Sequence, residues 1–334
     1  MSLDGAHPSV RVIGDLCLDH NEVGGRKLEP TWGSPALFIA RQLERSYGLR
    51  AVVSGAYGAD LAPFLDGFTL DREPGEGRSL AYRNITGAGG EGRVQYWRAG
   101  TVAAEAAEAA EVVAAGAEAD LAYFCPLVPD SDRAADLAEL RASRGDRESP
   151  GDRQSLRGGA TWGEGASSAE GASSGEGAAG VRVQVLLAQG LMRVSAGESR
   201  GGWRRVERRD ITDEEAAGWG CFDIVVFSDE DLDDAVAKAV RWSAVSRQTG
   251  FVVTQGGMGA TLCYRGEATT VPVEPVGESS PVGAGDVFGA AVGWEFYSAF
   301  VPGGLDRGAA LGLAVSRATA SASAYALSAG GVGH

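Results

Sequence analysis

The sequence predicts an α/β fold, a mostly parallel central sheet covered by helices on both faces, with a small accessory β element. Three observations predict it. Apolar runs at 10–16, 50–55, 120–125, 181–187, 222–227 and 250–255 alternate with helical stretches such as 35–46, 130–142 and 231–248, which is the rhythm of βαβ units. A length of 334 residues with 44% hydrophobic content suffices for one large α/β domain plus a small addition,. Segments 79–86 and 92–97 break the alternation and read as an antiparallel pair joined by the glycine-rich Gly87–Gly90.

In chain order, Val10-Arg11-Val12-Ile13-Gly14-Asp15-Leu16-Cys17-Leu18-Asp19 reads as one buried-type strand that finishes in a carboxylate. Trp32-Gly33-Ser34-Pro35-Ala36 is a turn entering a helix, with proline at a position that suits a helix start,. The alanine-rich stretch 103–119 carries Glu105, Glu108 and Glu111 at helical spacing and reads as a soluble helix. Residues 144–180 repeat Glu-Gly-Ala-Ser-Ser and hold almost no aliphatic side chain larger than alanine. Such a stretch cannot bury enough apolar surface to offset its ordering entropy, so a disordered low-complexity insertion is expected. Phe251-Val252-Val253-Thr254-Gln255-Gly256-Gly257 is an apolar strand ending in threonine and glycines, and a hairpin over 261–266 and 269–273 follows.

Chemistry concentrates at Ser280-Pro281-Val282-Gly283-Ala284-Gly285-Asp286, which runs into the apolar helix Val287 to Phe300. Glycines and an alanine there let backbone N–H groups converge on an anion at a helix N-terminus. Asp286, in the first turn, could take a proton from a hydroxyl beside that anion. An anion, a hydroxyl and a carboxylate base together suit phosphoryl transfer to a small molecule. The bland alternative is a plain loop-to-helix turn with an acidic first-turn residue. Asp19, Ser228–Asp231, Thr254 and Asp286 all follow strand ends or turns, which agrees with one crevice beyond the carboxyl ends of the strands,.

This ordered set of motifs resembles the ribokinase-like, PfkB-type carbohydrate kinases over roughly 10–128 and 180–330. The resemblance implies a single ribokinase-like domain over 1–334, with a small β lid from about 20–32 and 78–100 covering a sugar site. It implies that Asp286 is the general base and that Gly283, Ala284 and Gly285 build the anion hole. Substrate contacts would come from Asp19, Gly33, Ser34, Phe38 and Arg93, with Gln95 near. Ser34 replaces the second glycine of the family's Gly-Gly turn. Phe38 stands where many members have asparagine, and a flat apolar side chain suits the face of a ring. Ser228, Thr254 and Gly256 would bind ATP. Ser228-Asp229-Glu230-Asp231 takes the place of the family's Asn-x-x-Glu and leaves Asp231 as the carboxylate for Mg²⁺. Segments 33–39, 228–230 and 252–254 look most like the myo-inositol kinase branch, so a cyclitol or sugar-like polyol is the expected substrate.

Other readings stay open beside these. Asp19 could cap the following turn, and Ser228–Asp231 could be an acidic N-cap to helix 231–248. Phe38 could be core, and Arg93 and Gln95 could lie on a solvated strand face. A nucleoside kinase of the same fold and a non-catalytic ligand-binding homologue are the competing functions.

Composition narrows the field. A net charge of −15 argues against nucleic acid or anionic membrane as partners,. Cys17, Cys125, Cys221 and Cys263 form no CxxC pair and read as buried free thiols in a reducing cytoplasm,. No signal peptide or long apolar span is seen. His7, His20 and His334 build neither a triad nor a zinc site,. If the chain is an enzyme, carboxylates must do the acid–base work. The resemblance makes a homodimer through the lid plausible by analogy.

Overall fold

In a computed structural model of the chain, residues 7–88, 92–102, 118–129, 182–273 and 283–330 are described. The helix expected at 130–142, nearly all of 103–119, the 144–180 insertion and the Ser280-Pro281 lead-in lie outside them.

Nine strands form the main sheet: β1 (Val10–Gly14), β5 (Val52–Ser54), β6 (Thr69–Leu70), β9 (Leu121–Cys125), β10 (Val183–Leu187), β13 (Ile224–Ser228), β14 (Gly250–Thr254), β15 (Ala260–Tyr264) and β16 (Glu267–Val271). Their order is β16-β15-β14-β13-β10-β9-β1-β5-β6. Pairing is parallel from β14 through to β6, and β15 and β16 add an antiparallel edge. The central strands β9 and β10 are buried at every residue, as a parallel sheet covered on both faces requires.

Alternation along these strands sorts the core into two layers. Tyr123, Val185, Leu187, Ile224 and Val226 face one side, in a cluster with Leu43, Phe288 and Leu311. Phe124, Leu186, Val225 and Phe227 face the other, with Ala216, Trp219 and Trp242. Helices α1 (Pro35–Tyr47), α4 (Ala284–Phe300) and α5 (Arg307–Gly330) therefore cover the first face, and α2 (Asp213–Gly218) and α3 (Ala235–Val245) the second. At Gly293 a β-carbon would stand 2.6 Å from the Tyr123 ring. Glycine there lets α4 lie close against the strands, and the Tyr123 hydroxyl donates to Ala290 O at 2.7 Å.

A second sheet of seven strands stands beside the first: β2 (Cys17–Val23), β3 (Arg26–Lys27), β4 (Thr31–Gly33), β7 (Leu80–Thr86), β8 (Val94–Arg98), β11 (Arg193–Arg200) and β12 (Trp203–Arg208). It contains the expected hairpin, with Asn84 opposite Gln95. It also contains β11 and β12, which the sequence reading passed over. Two differences in boundary follow from local geometry. The run 10–19 is two strands, because the chain leaves the main sheet after Gly14, where Asp15 accepts from the N–H groups of Leu127 at 2.7 Å and Val128 at 3.2 Å. The helix expected from 231 begins at Ala235, after Asp234 in a left-handed conformation. No helix among the described residues is long and apolar enough to cross a membrane.

Candidate active site

A cavity of about 610 Å³ opens where the strands β10, β13 and β14 end, and residues from both sheets line it. Asp19, the third residue of β2, enters it from the second sheet, and Asp286 from the first turn of α4. Sequence reading placed Asp19 at the end of the first strand; instead it belongs to the second sheet. Gly33 pairs with Cys17 across β4 and β2 and does not line the cavity. A β-carbon on Gly33 would stand 2.3 Å from the Asp19 carboxyl carbon, so the glycine makes room for that carboxylate.

Ser34 caps α1. Its hydroxyl accepts from Ala36 N at 3.2 Å and donates to Asp15 O at 2.8 Å, while its backbone sits at φ 142°. Few non-glycine residues tolerate that region, and such strain costs about 1–3 kcal/mol. Phe38, one helical turn on, lines the cavity and packs against Trp32 with ring centroids 4.7 Å apart. It also backs the signature turn: a β-carbon on Gly283 would lie 3.0 Å from its ring. Phe38 is thus both wall and support.

Gly283 has φ 92° and begins α4, so the next three N–H groups precede the first helical hydrogen bond, from Val287 N to Gly283 O,. Among the described residues nothing accepts from those of Ala284, Gly285 and Asp286, the donors that a helix N-terminus offers an anion,. Gly285 faces open space, with nothing within 4 Å of a β-carbon built there.

Burial dominates the carboxylate chemistry. It raises the pKa of Asp286 to about 7, with the Asp19 charge adding to the rise and Arg93 opposing it. Asp19 is raised to about 6, again chiefly by burial, while Arg93 and a hydrogen bond from Asn84 pull it down. Two carboxyl groups in one cavity whose charges disfavour each other titrate as a pair. Near neutral pH one of them holds a proton for part of the time. Cys17 also lines the cavity, but its thiol is buried, donates to Gly33 O at 3.0 Å and is raised well above the usual thiol range. It is no nucleophile.

The opposite part of the cavity is lined by Ser228, Glu230, Thr254, Gly256 and Gly257, with Thr319, Ala322, Ser323 and Ala326 of α5. Backbone ties the two strand ends together, with Asp229 N donating to Thr254 O at 3.0 Å. Asp231 does not line the cavity. Its carboxylate accepts from Ser228 N at 3.2 Å and from Arg193 at 3.4 Å. Among the described residues no three His, Cys, Asp or Glu side chains converge as a metal cage. Glu230 lines the cavity beside Ser228 and Thr254 and is the carboxylate there that could help hold a hydrated Mg²⁺ carried by phosphates,.

Arg193, Gln189, Tyr82 and Leu127 also line the cavity and were missed in the sequence. A signal for Arg193 existed. Gly201-Gly202, both at positive φ, is a two-residue hairpin turn between polar runs,, and it marks β11 and β12 as a pair.

No protein-family model and no curated protein matches the chain. Solved structures do. The chain is similar to a pyrophosphate-dependent kinase in the ribokinase family, solved with a pyrophosphate analogue and myo-inositol, at a TM-score of 0.61 and 16% identity over 95% of this chain and 94% of that one. It is similar to phosphofructokinase-2 from Escherichia coli at 0.59 and 14%, over 97% of this chain and 99% of the other. At these identities the likeness is one of fold, and the fold is ribokinase-like.

Proposed function

We propose that this protein is a small-molecule kinase that phosphorylates a hydroxyl of a sugar or cyclitol, with Asp286 as general base. The observation that carries the reading is Asp286 itself. A carboxylate whose pKa burial lifts to about 7 stands in the same helical turn as three unpaired N–H groups, inside a cavity that also holds Asp19. A catalytic base works best with a pKa near the operating pH.

In this reading the acceptor hydroxyl donates to Asp286, and Asp19 accepts from a neighbouring hydroxyl to orient the ring against Phe38. As the acceptor oxygen forms its bond to phosphorus, its proton passes to Asp286 and the bond from phosphorus to the donor's bridging oxygen breaks. The N–H groups of Ala284, Gly285 and Asp286 meet the charge on the moving phosphoryl group. A positioned base contributes roughly 10²–10⁴ in rate, and one preorganised donor roughly 3–4 kcal/mol. Ser228, Thr254 and Gly256 would hold the donor's phosphates, with Mg²⁺ neutralising them beside Glu230. ATP is the expected donor, and the pyrophosphate-dependent neighbour makes pyrophosphate the second to test. A polyol of the inositol type is the expected acceptor, the second sheet is read as a lid through which two copies could pair, and a reducing cytoplasm is the expected setting.

The test is phosphate-donor consumption by the purified protein, with Mg-ATP and with pyrophosphate, across cyclitols, pentoses, hexoses and nucleosides. A turnover that Asp286→Asn abolishes supports the reading. A nucleoside as sole acceptor would replace the substrate class, and donor binding without turnover on any acceptor would overturn the kinase.

A further inference from the structure

We infer that Arg93 and Arg193 form a second anion site, on the second-sheet side of the cavity, that takes a phosphoryl group. The inference deepens the kinase reading and rests on it for the identity of the anion. Both side chains line the cavity, Arg93 from the residue before β8 and Arg193 from the first residue of β11.

Neutral amides hold the two guanidinium groups. Asn84, buried on β7, accepts from Arg93 at 2.8 Å and from Gln95 at 2.9 Å, and donates to Asn21 at 3.0 Å. Gln95 in turn accepts from Arg193. Arg93 makes no ion pair among the described residues, and Arg193 makes one, at 3.4 Å to Asp231. A guanidinium carries five N–H donors. Most of the donors on these two groups are therefore uncommitted.

Two like charges held together by amides, rather than each by a carboxylate in contact, are costly until an anion lies between them. The electrostatics agree: burial first and Arg193 second lower the pKa of Arg93, while Asp19, Glu230 and Asp286 oppose the fall. Arg93 is nonetheless an exposed residue, so solvent moderates this repulsion,. Planar, forked donors suit phosphate oxygens better than sugar hydroxyls. A site for neutral hydroxyls alone would not need both cations.

Two sources could supply the phosphoryl group: the donor, or a phosphate already on the acceptor. The test is calorimetric titration of the full chain, and of its Arg93→Gln and Arg193→Gln variants, with inorganic phosphate, pyrophosphate, Mg-ATP, a hexose 6-phosphate and myo-inositol. Phosphate and pyrophosphate should bind at least tenfold more weakly to each variant, with Arg193→Lys retaining part of the affinity. Losses shared by Mg-ATP and pyrophosphate but not by the hexose phosphate support the site and assign it to the donor. Losses on the hexose phosphate but not on Mg-ATP support it and assign it to the acceptor. Wild-type affinity of both variants for every phosphate ligand, or an effect confined to myo-inositol, overturns it. If Arg193→Gln unfolds because Asp231 is left uncompensated, Arg193→Gln with Asp231→Asn makes the same test. These readouts need no turnover. Phosphate binding that depends on the arginines, with no acceptor ever phosphorylated, would sink the kinase and leave the anion site standing.

Discussion

Asp286 and Asp19 do different work in the proposed reaction although both are carboxylates, and their surroundings separate them. Arg93 restrains both, but Asp286 also feels the Asp19 charge and rises furthest, whereas a hydrogen bond from Asn84 further restrains Asp19. Activity at saturating acceptor should therefore rise with pH through about 7, as Asp286 loses its proton. Asp19→Asn removes a like charge and should move that limb to lower pH, beyond any loss of acceptor affinity. A limb that stays in place would show that the two groups are not coupled. Asp286→Asn should cut turnover by at least about 10² while donor affinity holds. Gly285 allows a cleaner dissection. Alanine there meets open space, so Gly285→Ala should leave the melting temperature unchanged or slightly higher,. Its methyl group would obstruct the anion, and turnover should fall at least tenfold. Full activity in this variant would mean that no anion approaches the turn.

At the scale of elements, the cap of α1 sets the Asp19 side of the cavity. Ser34 combines a strained backbone with two hydrogen bonds, and substitution can separate those contributions. Ser34→Ala keeps the strain and loses both bonds, so it should cost about 1–2 kcal/mol in denaturant unfolding. Ser34→Gly loses the same bonds but relaxes φ, and it should recover most of that loss. Equal stabilities for the two variants would remove strain from the account. Elements also show what patterning can reveal. The strands β9, β10, β13 and β14 were legible because burial on both faces leaves nearly continuous apolar runs. The β11–β12 hairpin was not, since its residues are largely polar and half-exposed. Asp19 falls in a different strand from the one the sequence suggests because only Asp15 and Leu16 separate β1 from β2, too short a break to interrupt the apolar run.

For the whole molecule, the paired carboxylates tie stability to pH. Both have folded pKa values, about 7 and about 6, above the ordinary 3.8. The folded state therefore binds more protons than the unfolded chain between roughly pH 4 and 7, and their contribution to stability falls as pH rises through that window. The melting temperature of Asp286→Asn relative to wild type should consequently be higher at pH 8 than at pH 5, and a flat difference would contradict the burial of that carboxyl group. The alternation of apolar and helical segments and the order of motifs were enough to indicate the α/β architecture and to single out Gly283–Asp286, because both depend on local pattern. Depth of burial, the meeting of Asp19 with Asp286, the role of Gly33 as space for a carboxylate and the arrival of Arg193 beside Arg93 depend on contacts between residues far apart in the chain. No local pattern encodes such contacts. They arise when two sheets pack at the ends of the central strands, and that packing turns two ordinary aspartates into a coupled pair.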